Sequence, residues 1–315
     1  MIDNFGRQIT YLRLSVTDLC NLRCLYCMPE HGIEKLPHSA ILTIEEIEQI
    51  VKAAVRCGIS KVRLTGGEPL VRRGIIDICR RVSSIEGVEE LCMTTNAVLL
   101  PKYASQLREA GVSRLNISLD TLRADRFEKI SRIGTFADVE AGLKAARETG
   151  FDRIKINCVL MGGVNDDEIA DFVELTRDED IAVRFIELMP IGECADWDKE
   201  RFIPGSVVLE RVPELSPCGD DGVSVLYKLN GGRGTVGLIN PVSSHFCPAC
   251  NRIRVTSDGK LKPCLHSAKE IDLKGLSGEA LYETMREAIA AKPQRHHIVE
   301  DGRSSSIRNM NAIGG

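Results

Sequence analysis

At 315 residues the chain has the length for about two domains and a barrel-sized core. With 43% hydrophobic and 27% charged residues it reads as globular, and a net charge of −4 excludes a surface-wide basic footprint for nucleic acid. No apolar run approaches the roughly 20 residues of a membrane helix, and residues 1–8 lack the charged-then-apolar layout of an export signal. A cytoplasmic protein is expected, with neither membrane nor nucleic acid as partner, so any anion site must be a local patch.

The first strand-like run covers residues 11–16. Directly after it, Cys20, Cys24 and Cys27 follow a C-x3-C-x2-C spacing, with Tyr26 just before the last. Protein iron–sulfur clusters usually take four cysteines, so three at this spacing leave one iron of a four-iron cluster open to a small molecule. Zinc sites more often pair C-x2-4-C with a distant second pair. A helical pattern over 43–57 opens on Thr43, and Glu46 three residues later completes a capping box. Further strand-like runs at 61–65, 90–94, 114–119, 153–160 and 183–188 alternate with amphipathic stretches at 74–84, 101–110 and 136–149. This alternation predicts right-handed βαβ units and a parallel sheet. Six such strands fit a partial (β/α)6 TIM-like barrel with functional groups at the C-terminal strand ends. A doubly wound open sheet satisfies the same periodicity.

Parallel strands covered on both faces normally read as continuous apolar runs. Here they alternate. Arg13 and Ser15 share one face of the first strand, as do Lys61, Arg63 and Thr65 of the second, and Arg153, Lys155 and Asn157 of the fifth. Such a face lines a cavity for a polar, anionic ligand, or else is a solvated sheet surface. The second strand ends in Thr-Gly-Gly-Glu-Pro at 65–69, whose glycines let backbone approach a ligand closely.

The pattern changes after Pro190, which places the domain boundary at 1–195 against 196–315. Residues 196–217 read as a charged, proline-containing linker with one short helix. Runs at 223–228 and 235–239 flank Asn230-Gly231-Gly232, and runs at 253–256 and 260–261 flank Asp258-Gly259, predicting two hairpins. A last helix is expected over 278–290, before a tail ending in Gly314 and Gly315. Twelve cysteines in a reducing compartment are expected as thiols. Cys57, Cys79, Cys92 and Cys158 fall in apolar segments and read as core residues. A second triplet, Cys247, Cys250 and Cys264, again lacks a fourth ligand, and a Cys3His zinc site with His245 or His266 fits this spacing too. Arg252 and Arg254, on alternate positions beside it, suit fork-shaped phosphate recognition.

The first cysteine motif together with the Gly-Gly-Glu-Pro run resembles the radical S-adenosylmethionine (SAM) superfamily. Adding Thr94-Thr95-Asn96, Ser118-Leu119-Asp120, the run from Cys247 to Arg252 and the Gly-Gly end, nearly the whole chain is similar to the GTP 3′,8-cyclase family of molybdenum cofactor biosynthesis. The resemblance implies two [4Fe-4S] clusters and SAM as cofactors, with Cys20, Cys24 and Cys27 holding the SAM cluster and Cys247, Cys250 and Cys264 a substrate-side cluster. It assigns Tyr26, Gly67, Ser118 and Met189 to SAM, and Arg13, Arg63, Thr94, Lys155, Arg252, Ile253 and Arg254 to GTP. Gly314 and Gly315 become a catalytic tail, with Arg303 and Arg308 offering charge beside it. The implied reaction begins with a 5′-deoxyadenosyl radical taking hydrogen from C3′ of GTP and ends in 3′,8-cyclo-7,8-dihydro-GTP. Implied partners are a flavodoxin-type electron donor and the downstream enzyme that forms cyclic pyranopterin, the chain itself being a monomer or homodimer. One departure is Ala97, where the resemblance calls for glycine. Cys218 has no role.

Overall fold

The computed structural model describes residues 1–298 and 302–314. Six strands lie side by side in chain order: β1 (Tyr11–Ser15), β2 (Lys61–Thr65), β3 (Glu90–Thr95), β4 (Val112–Ser118), β5 (Arg153–Leu160) and β6 (Ala182–Glu187). Every neighbouring pair is parallel. Helices α1 (Ile44–Arg56), α2 (Ile75–Ser83), α3 (Leu100–Glu109), α4 (Ala124–Ser131), α5 (Phe136–Thr149) and α6 (Ile169–Asp178) form the crossovers. The capping box of α1 is closed, since Glu46 N donates to Thr43 Oγ1 at 3.1 Å and Thr43 N to Glu46 Oε2 at 2.8 Å. Such a cap contributes about 1 kcal/mol. Inward from it, Ile47, Ile50 and Val51 are buried, each worth about 1.5–3 kcal/mol.

The alternation read from the strands is realised as two faces. Leu12, Leu14, Val62, Leu64, Met93, Ile117, Ile156 and Phe185 all lie in the core beneath the helices. On the other face the parallel register sets Arg13 beside Arg63, Asn116 beside Lys155, and Asn157 beside Arg184.

The C-terminal residues do not simply follow the barrel; they extend its sheet at both edges. Helix α7 (Val207–Arg211) falls in the expected linker, but β7 (Ser216–Asp220) begins there as well. The first expected hairpin is β8 (Val225–Lys228) with β9 (Thr235–Ile239), and β9 also pairs parallel with β6. The second is β10 (Arg252–Val255) with β11 (Lys260–Lys262), and β10 pairs parallel with β1, which sets Arg254 beside Arg13. With β12 (Ile271–Asp272) the sheet has 12 strands, open at both ends. Helix α8 (Gly278–Ala290) returns to α1, where Arg56 stacks 4.0 Å from the Tyr282 ring and meets Glu279 at 2.9 Å. A final turn, α9 (Met310–Ile313), ends the described chain. All twelve cysteines are free thiols, with Cys57, Cys79, Cys92 and Cys158 buried. Among the described residues no helix is long and apolar enough to cross a membrane.

Candidate active site

The loop after β1 carries the first cysteine triplet, and three neighbours hold it. Arg23 N and Leu25 N donate to Ser131 O and Ile130 O at 2.8 and 3.0 Å, so the end of α4, a helix absent from the sequence reading, supports the loop. Tyr26 donates its hydroxyl to Asp120 Oδ2 at 2.8 Å, while Asp120 Oδ1 accepts from Val159 N at 2.9 Å. Burial pushes the Asp120 carboxyl up to about 6. The Gly-Gly-Glu-Pro turn packs from the third side. A Cβ on Gly67 would lie 2.4 Å from Leu19 O, and one on Gly66 would lie 2.5 Å from Thr17 O. These glycines are therefore required first by contact with the cysteine loop's own backbone, a reason the sequence did not reveal. Glu68, buried and pushed up by burial to about 7, ties the turn to β3 by accepting from Asn96 N at 2.7 Å and Thr95 Oγ1 at 2.8 Å. Ala97 adopts φ 66°, the left-handed conformation glycine favours, so the turn keeps its shape without the expected residue.

Within the loop, burial raises the Cys20 thiol to about 11 and pushes the Cys24 and Cys27 thiols well above their ordinary value, and charge on a neighbouring cysteine sulfur raises both further. Three facing thiols that resist ionisation alone are a donor set suited to a multivalent cationic group. Among the described residues no three His, Cys, Asp or Glu side chains converge on one ion-sized point. A four-iron cluster has a different requirement, since each thiolate meets its own iron.

Side chains from β1, β2, β4, β5, β6, β8, β9 and β10 line one cavity of about 390 Å³, so the sheet curls into a partial barrel. Arg13, Arg63, Lys155, Arg252 and Arg254 all face it, as does Met189. So does Arg184, which the sequence reading missed although Val183 and Phe185 on either side mark the same alternation. Crowded cations disfavour one another here. Burial and then Arg254 lower Arg13 well below its ordinary value; burial and then Arg252 bring Arg254 down to about 10; burial and then Arg184 bring Lys155 down to about 8. Arg184 Nε, Arg252 Nε, Asn116 Oδ1 and Asn157 Oδ1 are buried without a hydrogen-bond partner. Unpaired buried donors among repelling cations call for an anion. Tyr11 organises the floor, accepting from Arg63 Nε, with Arg252 5.5 Å from its ring centre.

Cys247, Cys250 and Cys264 line this same cavity. Burial pushes the Cys250 thiol up, but Lys292 and Arg252 reverse this and hold it below its ordinary value. His266 hydrogen-bonds Ser304 Oγ at 3.2 Å and meets the His296 ring edge-on, with ring centres 4.6 Å apart. Three of the residues assigned from the sequence stand apart from the cavity lining. The Ile253 side chain is fully buried on the core face of β10, so only its backbone can meet a ligand. Thr94 and Ser118 sit on β3 and β4, half-buried and outside the cavity lining.

The tail enters the barrel mouth. Gly314, at φ 75°, is buried so close to β1 and β2 that a Cβ would lie 2.4 Å from Thr65 Oγ1 and 3.4 Å from Ser15 Cβ. Its carbonyl accepts from Arg254, and Asn311 Nδ2 donates to Asp18 O at 3.1 Å. Gly315 lies outside the described residues. Arg308 offers no free charge as expected: it pairs with Asp258 at 2.9 Å and Glu270 at 2.7 Å and pins the tail. Arg303 is exposed.

A curled parallel sheet with a C-x3-C-x2-C loop after its first strand and a glycine-rich turn packed upon it defines a radical SAM enzyme. Comparison with known proteins agrees. Residues 14–176 match the family model described as Radical SAM superfamily, and residues 181–298 match Molybdenum Cofactor Synthesis C. In solved structures, Streptococcus suis SuiB bound to S-adenosylmethionine shares the fold, with TM-score 0.60 and 16% identity over 89% of this chain and 68% of that one. The structure of anSMEcpe with AdoMet bound is similar at TM-score 0.55 and 16% identity, over 88% and 82% of the two chains. Much nearer in sequence is the GTP 3′,8-cyclase of Alkaliphilus oremlandii, 50% identical over the full length of both chains. That of Geobacter sulfurreducens is 48% identical over 100% of this chain and 99% of its own. The chain belongs to the GTP 3′,8-cyclase family of the radical SAM superfamily.

Proposed function

We propose that the protein is a cytoplasmic radical SAM lyase that converts GTP to 3′,8-cyclo-7,8-dihydro-GTP in molybdenum cofactor biosynthesis. The observation that carries this reading is the cavity of about 390 Å³ whose walls hold converging arginines and whose rim holds the second cysteine triplet. Its size is that of a small-molecule site. Cys20, Cys24 and Cys27 would hold a [4Fe-4S] cluster, which when bound supplies the electron that splits SAM into methionine and a 5′-deoxyadenosyl radical. Tyr26, Gly67, Ser118 and Met189 would place SAM beside it, with Asp120 fixing the Tyr26 hydroxyl. Cys247, Cys250 and Cys264 would hold a second cluster facing the base.

The chain's own contribution is binding and exclusion of water. Arg13, Arg63, Lys155, Arg184, Arg252 and Arg254 take the triphosphate, relieving the repulsion among themselves, and guanidinium forks fix its orientation. Gly314 closes the mouth on the side of β1 and β2, and Arg254 links that closure to the phosphate site. The closed mouth keeps dissolved molecules from intercepting reactive intermediates. A flavodoxin-type reductant and a downstream cyclic pyranopterin-forming enzyme complete the sequence.

Binding and metal content test this before any turnover is measured. The anaerobic protein should contain iron and acid-labile sulfide and bind GTP far more tightly than guanosine. Zinc without iron, or equal affinity for nucleotide and nucleoside, would overturn the reading.

A further inference from the structure

The turn between β7 and β8 brings an acid into the basic cavity. Among the described residues lining that cavity are ten lysines and arginines, and Asp221 is the single carboxylate. Its two oxygens do different things. Oδ1 accepts from Ser224 N at 3.0 Å and Ser224 Oγ at 2.7 Å, which fixes the turn. Oδ2 pairs with Lys155 Nζ at 3.4 Å and with the Arg184 guanidinium. Burial pushes the carboxyl up, but Arg184, Ser224 and Lys155 more than reverse this and hold it far below the usual carboxylate range. Arg63 and Arg252 in turn face Arg184, and Arg153 faces Lys155, so the carboxylate sits at the centre of the repelling cations.

The element that presents it is built to move. Strand β7 is the outermost strand of the sheet and is exposed at every position. Gly219 at φ 125° and Gly222 at φ 78° flank the acid, with nothing within 4 Å of either added Cβ. The turn's one buried residue is Ser224, which lies over Gly237 of β9.

We propose that Asp221 is a specificity-determining residue acting as a resident competitor anion: its carboxylate occupies Lys155 and Arg184 until a polyphosphate displaces it, so that weakly charged anions are refused. The inference rests on the reading of this cavity as the triphosphate site. An empty cluster of cations would attract any cellular phosphate. With Asp221 in place a ligand gains from Lys155 and Arg184 only after breaking an existing pair, and only one that also reaches Arg13, Arg63, Arg252 or Arg254 gains enough to do so.

Asp221→Asn is the discriminating variant, because its amide oxygen can still accept from Ser224 while the negative charge facing Lys155 and Arg184 disappears. Calorimetric titration of the anaerobic, cluster-reconstituted protein would use GTP, pyrophosphate and guanosine. The expected result is at least tenfold tighter binding of both GTP and pyrophosphate by the variant, with guanosine unchanged. In the wild type, GTP should also speed hydrogen exchange at the Ser224 amide. Unchanged or weaker GTP and pyrophosphate binding in a variant whose wild type still prefers GTP to guanosine would show that Asp221 only orients the cations. So would a Ser224 amide indifferent to GTP. If the wild type shows no preference for GTP over guanosine, the cavity assignment itself fails, and this inference with it.

Discussion

Replacing Gly314 with alanine separates tail docking from the rest of the fold. Gly314 sits at φ 75°, where an L residue costs about 1–2 kcal/mol. The added Cβ would also lie 2.4 Å from Thr65 Oγ1, and neither Thr65 nor Ser15 has exposed surface into which to retreat. A penalty of about 2 kcal/mol or more lowers the equilibrium constant for docking roughly thirtyfold. The penalty falls on the tail, which is held by the bonds of Arg254, Asn311 and Arg308 and by the buried Ile313 side chain. Gly314→Ala should therefore keep its iron content and melting temperature but lose most cyclised product by mass spectrometry, while SAM cleavage continues uncoupled. Adding Thr65→Ala removes the collision and should restore part of the product. Normal cyclisation by Gly314→Ala, or loss of iron along with product, would refute the reasoning.

The two cysteine triplets should divide their labour. Cys24→Ala should abolish reductive SAM cleavage, whereas Cys250→Ala should retain some cleavage and form no cyclised nucleotide; equal loss in both would contradict the split. Arg252→Ala and Arg254→Ala should each weaken GTP by about 1.5–3 kcal/mol through a lost charge-assisted bond, with SAM affinity unchanged. Lys155 adds a pH dependence. Burial and then Arg184 bring it down to about 8, so above that pH the free site carries a neutral amine. A bound phosphate raises that value again, so GTP binding near pH 8.5 should take up a proton and weaken as pH rises further. Calorimetry in buffers of different ionisation enthalpy measures the uptake, and Lys155→Arg, charged throughout, should abolish it.

Local patterns in the sequence were sufficient for what is locally determined. Thr43 and Glu46 announce α1 because both halves of a capping box lie within one turn. Arg13, Arg63 and Lys155 announce the cavity face because strand alternation is a property of each strand alone. Partner choice is different. That β10 adds to β1 and β9 to β6 depends on edges more than 50 residues apart in the chain, and no periodicity encodes it. Nor could sequence reveal that Gly66 and Gly67 serve loop-to-loop contact, or that Arg308 is already paired, since both depend on which backbone or carboxylate arrives from elsewhere.

The central claim is that this cavity holds GTP with its ribose open to a radical made from SAM. Anaerobic turnover of GTP deuterated at C3′, with SAM and a reductant, tests it directly. The account predicts 5′-deoxyadenosine carrying one deuterium together with a product of 3′,8-cyclised mass. Undeuterated 5′-deoxyadenosine with GTP recovered intact, from protein with full iron content, would contradict it.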